Sequence, residues 1–431
     1  MVETMKEGMG IDEKEFLHAD IITSDRVELL GYNDSVALDK FRSFFKRRER
    51  FLVVEIIGKL VRMSSFLVDF SDKNIQFLKT EKISLDHSKS GAPLTELKAL
   101  GKIFGKLSRY RVILSLGSKL ATTIHSSVTL MRDKPKEPID DSDLDNRIAQ
   151  GIWKLFDRER GRAAAKMEVH DLEVMLTDIR VKRVKLDGHR VVNPVGFKAK
   201  TVEINFSQTF STRRFIEDIR RFIPASHICL MAEGGTMASD MLARGGASHF
   251  IFAALSDIDS DLFFSSGSGV GWIRTVPWGR KSLLLALEEA FAVSEEVAEK
   301  ILGLYLIRQA SPAVLRRIER LLSDACTPFA ESLREAISEY EANEIYLFSF
   351  FSLPELMFLV PVVKRLLKER VRVLPVGEEF LNDQLGFAIS SVPRGSATLL
   401  HAVSGILEFY FLPHDDKMNR IAKRHARWLI S

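Results

Sequence analysis

The chain has 431 residues, 46% of them apolar and 28% charged, the balance of a globular protein long enough to hold more than one core. Basic and acidic residues, 62 against 58, leave a formal net charge of +4, too even for a chain whose whole surface engages nucleic acid. Two cysteines, Cys229 and Cys326, stand in apolar surroundings and give neither a metal-ligand spacing nor a disulfide framework, so both read as small core residues.

Residues 1 to 33 are polar and weakly patterned, with an acidic start unlike a signal peptide. From Asp34 to Arg62 the apolar residues predict a helix, interrupted by the charged run Lys46-Arg47-Arg48-Glu49-Arg50. It reads as docked on the first domain, with a membrane-surface or partner helix as the alternative. Ser65 to Lys79 predicts strand, turn and strand, followed by a helix over Leu94 to Lys106 and a buried strand at Arg111 to Leu116. Ser118 to Leu130 alternates as a strand, and Asp143 to Phe156 reads as a helix with Asp143 at its N-cap. Val169 to Val184 and Thr201 to Phe206 are strand-rich.

Beyond Phe210 the pattern becomes strand–helix alternation. Helices are expected at Arg213 to Phe222, Thr236 to Leu242, Lys281 to Phe291 and Val293 to Leu306, with strands at His227 to Met231, Phe250 to Ala254 and Asp261 to Ser265. A long amphipathic stretch from Pro312 to Tyr340 precedes Ile345 to Val363, which imitates a membrane span but contains Pro354 and Pro361. A buried strand followed by an amphipathic helix fits it better. Alternation of this kind indicates an α/β fold with sheets covered by helices.

Enzyme motifs are missing: no phosphate-loop lysine motif, no metalloprotease motif, no nucleophile elbow. Gly267-Ser268-Gly269-Val270-Gly271 leads into Trp272-Ile273 and not into a helix start, so it reads as a hairpin turn. The basic clusters Arg158 to Arg162 and Arg180 to Lys185 lack interleaved aromatics and argue against a nucleic-acid partner. At the C-terminus, Met418, Ile421, Trp428 and Leu429 fall on one helical face and Arg420, Arg424 and Arg427 on a second stripe. That pattern suits an anionic membrane surface, where each basic residue contributes on the order of 1 kcal/mol. The alternative is a terminal helix packed on its own domain.

Several strings, in order, carry a resemblance. Asp187-Gly188, then Val192-Asn193-Pro194-Val195-Gly196-Phe197, precedes an alternating strand; Val112 to Gly117 is a strand before it; Trp272-Ile273-Arg274-Thr275-Val276-Pro277-Trp278-Gly279 and Ala298-Glu299-Lys300-Ile301 follow. Together they resemble the FtsA family of bacterial actin-like proteins over roughly residues 64 to 431. The resemblance implies a two-lobed actin-like α/β fold of the ribonuclease H-like type. It assigns 1–63 to a partly helical extension, 64–118 and 193–230 to the first lobe, 119–192 to an inserted subdomain, 231–412 to the second lobe and 413–431 to a membrane-targeting helix. It implies a cytoplasmic cell-division scaffold, peripheral on the inner face of the membrane, that contacts a tubulin-like FtsZ polymer and self-associates into protofilaments. A PilM-like platform protein of type IV pilus or secretion assembly, holding a peptide from a membrane partner, is the neighbouring alternative.

By the same resemblance, the family's nucleotide turns fall on Asp69, Ser71 and Asp72, on Ser256, Asp257 and Asp259, and on Ser349 between Phe348 and Phe350. The glycines that let backbone approach a phosphate are replaced, and the added carboxylates repel one. No cofactor is therefore expected; ATP with magnesium belongs to the alternative of a working ATPase.

Overall fold

Phe51 to Ile57 is an unbroken buried run, rich in β-branched residues, and this suits the centre of a sheet covered on both faces better than one stripe of a helix. The computed structural model describes residues 48–58, 60–84, 107–266, 269–350, 353–367, 371–391, 399–412 and 416–430. Its elements open with β1 (Glu49–Ile57), β2 (Leu60–Asp69), β3 (Asn74–Ser84) and β4 (Arg111–Leu116). There follow β5 (Ala121–Met131), α1 (Asp141–Met167), β6 (Val174–Leu186), β7 (His189–Val191), β8 (Thr201–Thr212) and α2 (Arg213–Phe222). The chain then forms β9 (Ile228–Glu233), α3 (Gly234–Arg244), β10 (Phe250–Leu255), β11 (Ser260–Ser266) and β12 (Gly269–Val276). Four helices come next, α4 (Arg280–Phe291), α5 (Glu295–Leu306), α6 (Pro312–Ala325) and α7 (Thr327–Tyr340), before β13 (Glu344–Ser349), α8 (Leu353–Leu367) and β14 (Arg372–Pro375). The remainder is α9 (Glu378–Leu385), β15 (Ala388–Ser390), α10 (Leu400–Phe411) and α11 (Lys417–Ile430).

Three sheets result. The first has the order β15-β3-β2-β1-β4-β9 and the second β12-β11-β10-β13-β14. In each, a three-stranded antiparallel meander is extended by two parallel strands, so the two lobes repeat one topology. The third sheet, β5-β8-β6-β7, belongs to a subdomain inserted between β4 and β9, with its own core built on Ile148, Ile152, Leu176, Ile204 and Phe206.

These elements correct several boundaries. The helix expected from Asp34 to Arg62 is, over its described part, the β1–β2 hairpin, so the first lobe begins at Glu49 and the assignment of 1–63 to an extension does not hold there. The helix expected over Leu94 to Lys106 lies outside the described residues. β8 sits in the middle of the third sheet, so the insertion runs past residue 192 to Thr212 and α2. The cap of α1 is Asp140, whose Oδ1 accepts the Asp143 amide at 2.7 Å; Asp143 itself pairs with Arg132 and Arg147. The stretch from Pro312 to Tyr340 is two helices broken at Cys326. The imitation of a membrane span resolves, as expected, into β13 and α8, and among the described residues no helix is long and apolar enough to cross a membrane.

Candidate functional site: the cleft between the lobes

The β1–β2 hairpin turns at Gly58, φ +56°, and meets the second lobe through Arg62 and Phe350, the residue after β13, whose amide donates to the Leu255 carbonyl at the end of β10. Glu55 and Arg62 stand opposite each other on β1 and β2, and the guanidinium donates to the carboxylate at 2.6 and 2.7 Å. Both side chains are 1% exposed. A two-pronged, fully buried pair of this kind leaves neither charge available to a ligand. The Arg62 guanidinium also lies 5.4 Å from the centre of the Phe350 ring.

Aromatic side chains from both lobes fill the space beyond that pair. His401, the second residue of α10, stacks on Phe348 at 4.4 Å and meets Phe350 edge-on at 4.8 Å. Phe252 packs on the same cluster. Burial, and secondarily the Arg62 charge, holds the His401 pKa well below its ordinary value, so the ring is neutral. The two glycines that open α3 serve this packing. A Cβ on Gly234 would lie 2.5 Å from His401 Nδ1 and 2.6 Å from Ser115 Oγ, and one on Gly235 would lie 2.1 Å from the Phe263 ring.

The β10–β11 turn is closed on itself as well. Ser256 Oγ and Asp259 Oδ1 are 2.9 Å apart, and Lys119 reaches Asp259 at 2.6 Å. The Ser256 and Asp257 carbonyls accept the Arg280 and Lys281 amides at the start of α4. Ser256, Asp257, Asp259 and Ser349 therefore do meet at the cleft. Asp69, Ser71 and Asp72 do not. They form the β2–β3 turn at the opposite end of a ten-residue strand, about 30 Å away. There Ser71 Oγ donates to Asp69 Oδ1 at 2.5 Å, and that bond holds the Asp69 carboxyl below its usual range. The residues that the sequence reading missed are Glu55 and Arg62; the visible signal was the β-branched run ending at Gly58.

A smaller cavity of about 180 Å³ opens where β6, α2 and α11 of the inserted subdomain approach β9, the edge strand of the first sheet. Its floor includes Ile216, Ile219, Ile228 and Leu230, and Arg220, Lys423 and Arg427 bring basic groups to it. Buried ion pairs tie the same subdomain to the helices beside the cleft. Arg180 meets Glu408 of α10 at 2.8 Å, Lys182 and His125 meet Asp240 of α3 at 2.6 and 2.9 Å, and Lys166 meets Glu233 at 2.5 Å. Burial raises the Asp240 carboxyl, but its contacts with His125 and Lys182 outweigh that and hold it low.

The C-terminal helix forms as its periodicity predicts, and its apolar face turns inward. Met418, Ile421, Ala422 and Ala426 join the inserted subdomain's core, and Asn419 Oδ1 accepts the Val181 amide at 2.7 Å. Arg424 and His425 pair with Asp145, and Lys417 with Asp141; Arg420 is exposed. The side chains of Trp428 and Leu429, like the linker Pro413 to Asp415, lie outside the described residues. For the described part of the stripe the cause is simple: the inserted subdomain covers Met418 and Ile421, which a membrane was expected to cover.

No protein-family model matches the chain, and no curated protein matches it. Among solved structures it is similar to a PilM-PilN type IV pilus biogenesis complex, with a TM-score of 0.52, 13% identity, and coverage of 88% of this chain and 100% of that one. It is also similar to the ethanolamine utilization protein EutJ from Carboxydothermus hydrogenoformans (TM-score 0.40, 10% identity, 84% and 98% covered). A ROK family glucokinase from Streptomyces griseus gives a TM-score of 0.39 at 12% identity, with 79% and 99% covered. What is shared is the actin-like fold.

Proposed function

We propose that this chain is an actin-like scaffold that holds a segment of a partner protein and does not turn over nucleotide. The observation that carries this reading is the buried Glu55–Arg62 pair, backed by His401, Phe348 and Phe350, in the cleft where a nucleotide would otherwise lie. An adenine nucleotide would have to separate a bidentate ion pair and expel three rings. ATP with magnesium is accordingly not a cofactor in this reading.

The assembly we infer is of the kind that PilM and PilN form in type IV pilus biogenesis, with the partner segment lying along β9 and over the cavity floored by Ile216 and Ile219. An apolar floor rimmed by Arg220, Lys423 and Arg427 suits a segment whose apolar side chains enter the cavity while its acidic groups meet the basic rim. The FtsA-type role, with an FtsZ-like partner and peripheral attachment through α11, is the less favoured reading, because the apolar face of α11 is already covered.

One two-part experiment tests the reading. Calorimetry with Mg-ATP should give no binding heat, and a photo-crosslinking residue in place of Arg220 should capture a membrane protein's cytoplasmic segment in cells. Saturable ATP binding at micromolar concentration would refute the closed cleft. An expressed, folded protein that crosslinks to nothing would refute the partner site.

A further inference from the structure

At the end of the first lobe remote from the cleft, the N-terminal ends of the parallel strands β1 and β4 lie side by side, with Phe51 paired to Arg111. They frame an open hollow of about 600 Å³ lined by Arg48, Glu49, Arg50, Ser108, Arg109, Tyr110 and Arg111. Four arginines, supplied by two chain segments some sixty residues apart, thus line the hollow together with one carboxylate. Asp69 adds a second from the rim, pairing with Arg48 at 3.4 Å, and the balance remains positive.

The arginines divide into two kinds. Arg111 is fixed: it meets Glu49 at 2.9 Å and lies 5.2 Å from the centre of the Phe409 ring. Arg50 and Arg109 are exposed and have no ion pair among the described residues. Like charges crowded together repel, and nothing in the core needs them there. A planar fork of donors matches the oxygens of a phosphate, and several forks with two hydroxyls around one hollow suit a group carrying more than one such oxygen. Neither the closed cleft nor the cavity beside β9 accounts for this cluster, which contains the last three residues of the charged run Lys46 to Arg50.

We propose that this hollow is a binding site for a phosphate group, carried by an anionic phospholipid headgroup or by a free polyphosphate. The full chain would be tested by co-sedimentation with phosphatidylglycerol-containing vesicles against pure phosphatidylcholine vesicles, and by calorimetry with inorganic triphosphate. The double variant Arg50→Glu/Arg109→Glu should weaken binding about tenfold or more, and Arg50→Lys/Arg109→Lys should retain most of it. Both positions are exposed, so neither variant disturbs the core, and circular dichroism would verify that. Binding to the anionic vesicles alone identifies a lipid headgroup as the source, and binding to triphosphate as well identifies a free phosphate. Failure of both ligands, or binding that survives the charge reversal unchanged, overturns the site.

Discussion

Removing one half of the Glu55–Arg62 pair should do more harm than removing both. Arg62→Ala would leave a buried carboxylate without its partner, which costs about 3–5 kcal/mol, whereas a double change to apolar residues of similar volume should come close to neutral. Urea denaturation of the two variants measures the difference directly, and equal losses would mean that the pair is not the closed unit described above. Asp261 offers a second test at the same scale. Its burial, partly offset by the hydrogen bond from Thr275, raises the carboxyl from 3.8 to about 6. A raised carboxyl favours folding fully below the unfolded value, and that contribution is lost as pH rises through about 6. Asp261→Asn should therefore raise the melting temperature at pH 8, by an amount on the order of 2 kcal/mol in stability, and leave it unchanged near pH 4. Melting curves at the two pH values check the sign.

The C-terminal helix marks where patterning stops being informative at the scale of single elements. Its period and two-faced character are visible in Met418, Ile421 and the basic stripe, and the helix forms as that pattern requires. What covers an apolar face is decided by surfaces hundreds of residues away, here β6 and α1, and no local pattern encodes it. The β1 strand failed for a different reason. A short apolar run satisfies helix and strand templates alike, and Phe41 to Phe45 ahead of it biased the reading toward a helix. Losing that strand displaced the first cleft turn by one hairpin, to Asp69, and hid Glu55 and Arg62. In the second lobe the central strands β10, β11 and β13 were legible, while β12, behind its glycine-rich start, and the four-residue β14 were not. Ala422→Glu places a charge at a fully buried position of α11 and should destabilise the inserted subdomain by about 3 kcal/mol or more. Hydrogen exchange would show it as faster exchange in β6 and β8 with β10 and β13 still protected. Uniform loss of protection would instead mean that the subdomain and the lobes unfold as one unit.

For the molecule as a whole, the order of strands and helices made the α/β class legible, while the two lobes and the insertion were expected only from the family resemblance, and the repeat of one topology in both lobes emerges with the structure. The state of the cleft was legible only in part. The missing glycines of Ser256 to Asp259 pointed to a changed turn, but the plug contributed by His401 comes from a helix that no motif connects to the cleft. The ion pairs from Arg180, Lys182 and Lys166 then make the inserted subdomain a rigid companion of α3 and α10. Any coupling through this architecture would run along β9, which borders both the cavity and those two helices.

The docking of α11 has a consequence for biogenesis. The inserted subdomain spans β5 to α2, yet part of its core is supplied by residues 418 to 426. During synthesis its sheet emerges with only α1 to cover its apolar face and must wait for the whole second lobe, roughly two hundred residues, before the helix that completes that cover leaves the ribosome. The first lobe waits likewise for β15 and α10. The second lobe, contiguous from β10 to β14, is the only one of the three layers able to complete itself as it is made, so it is the natural seed on which the other two close.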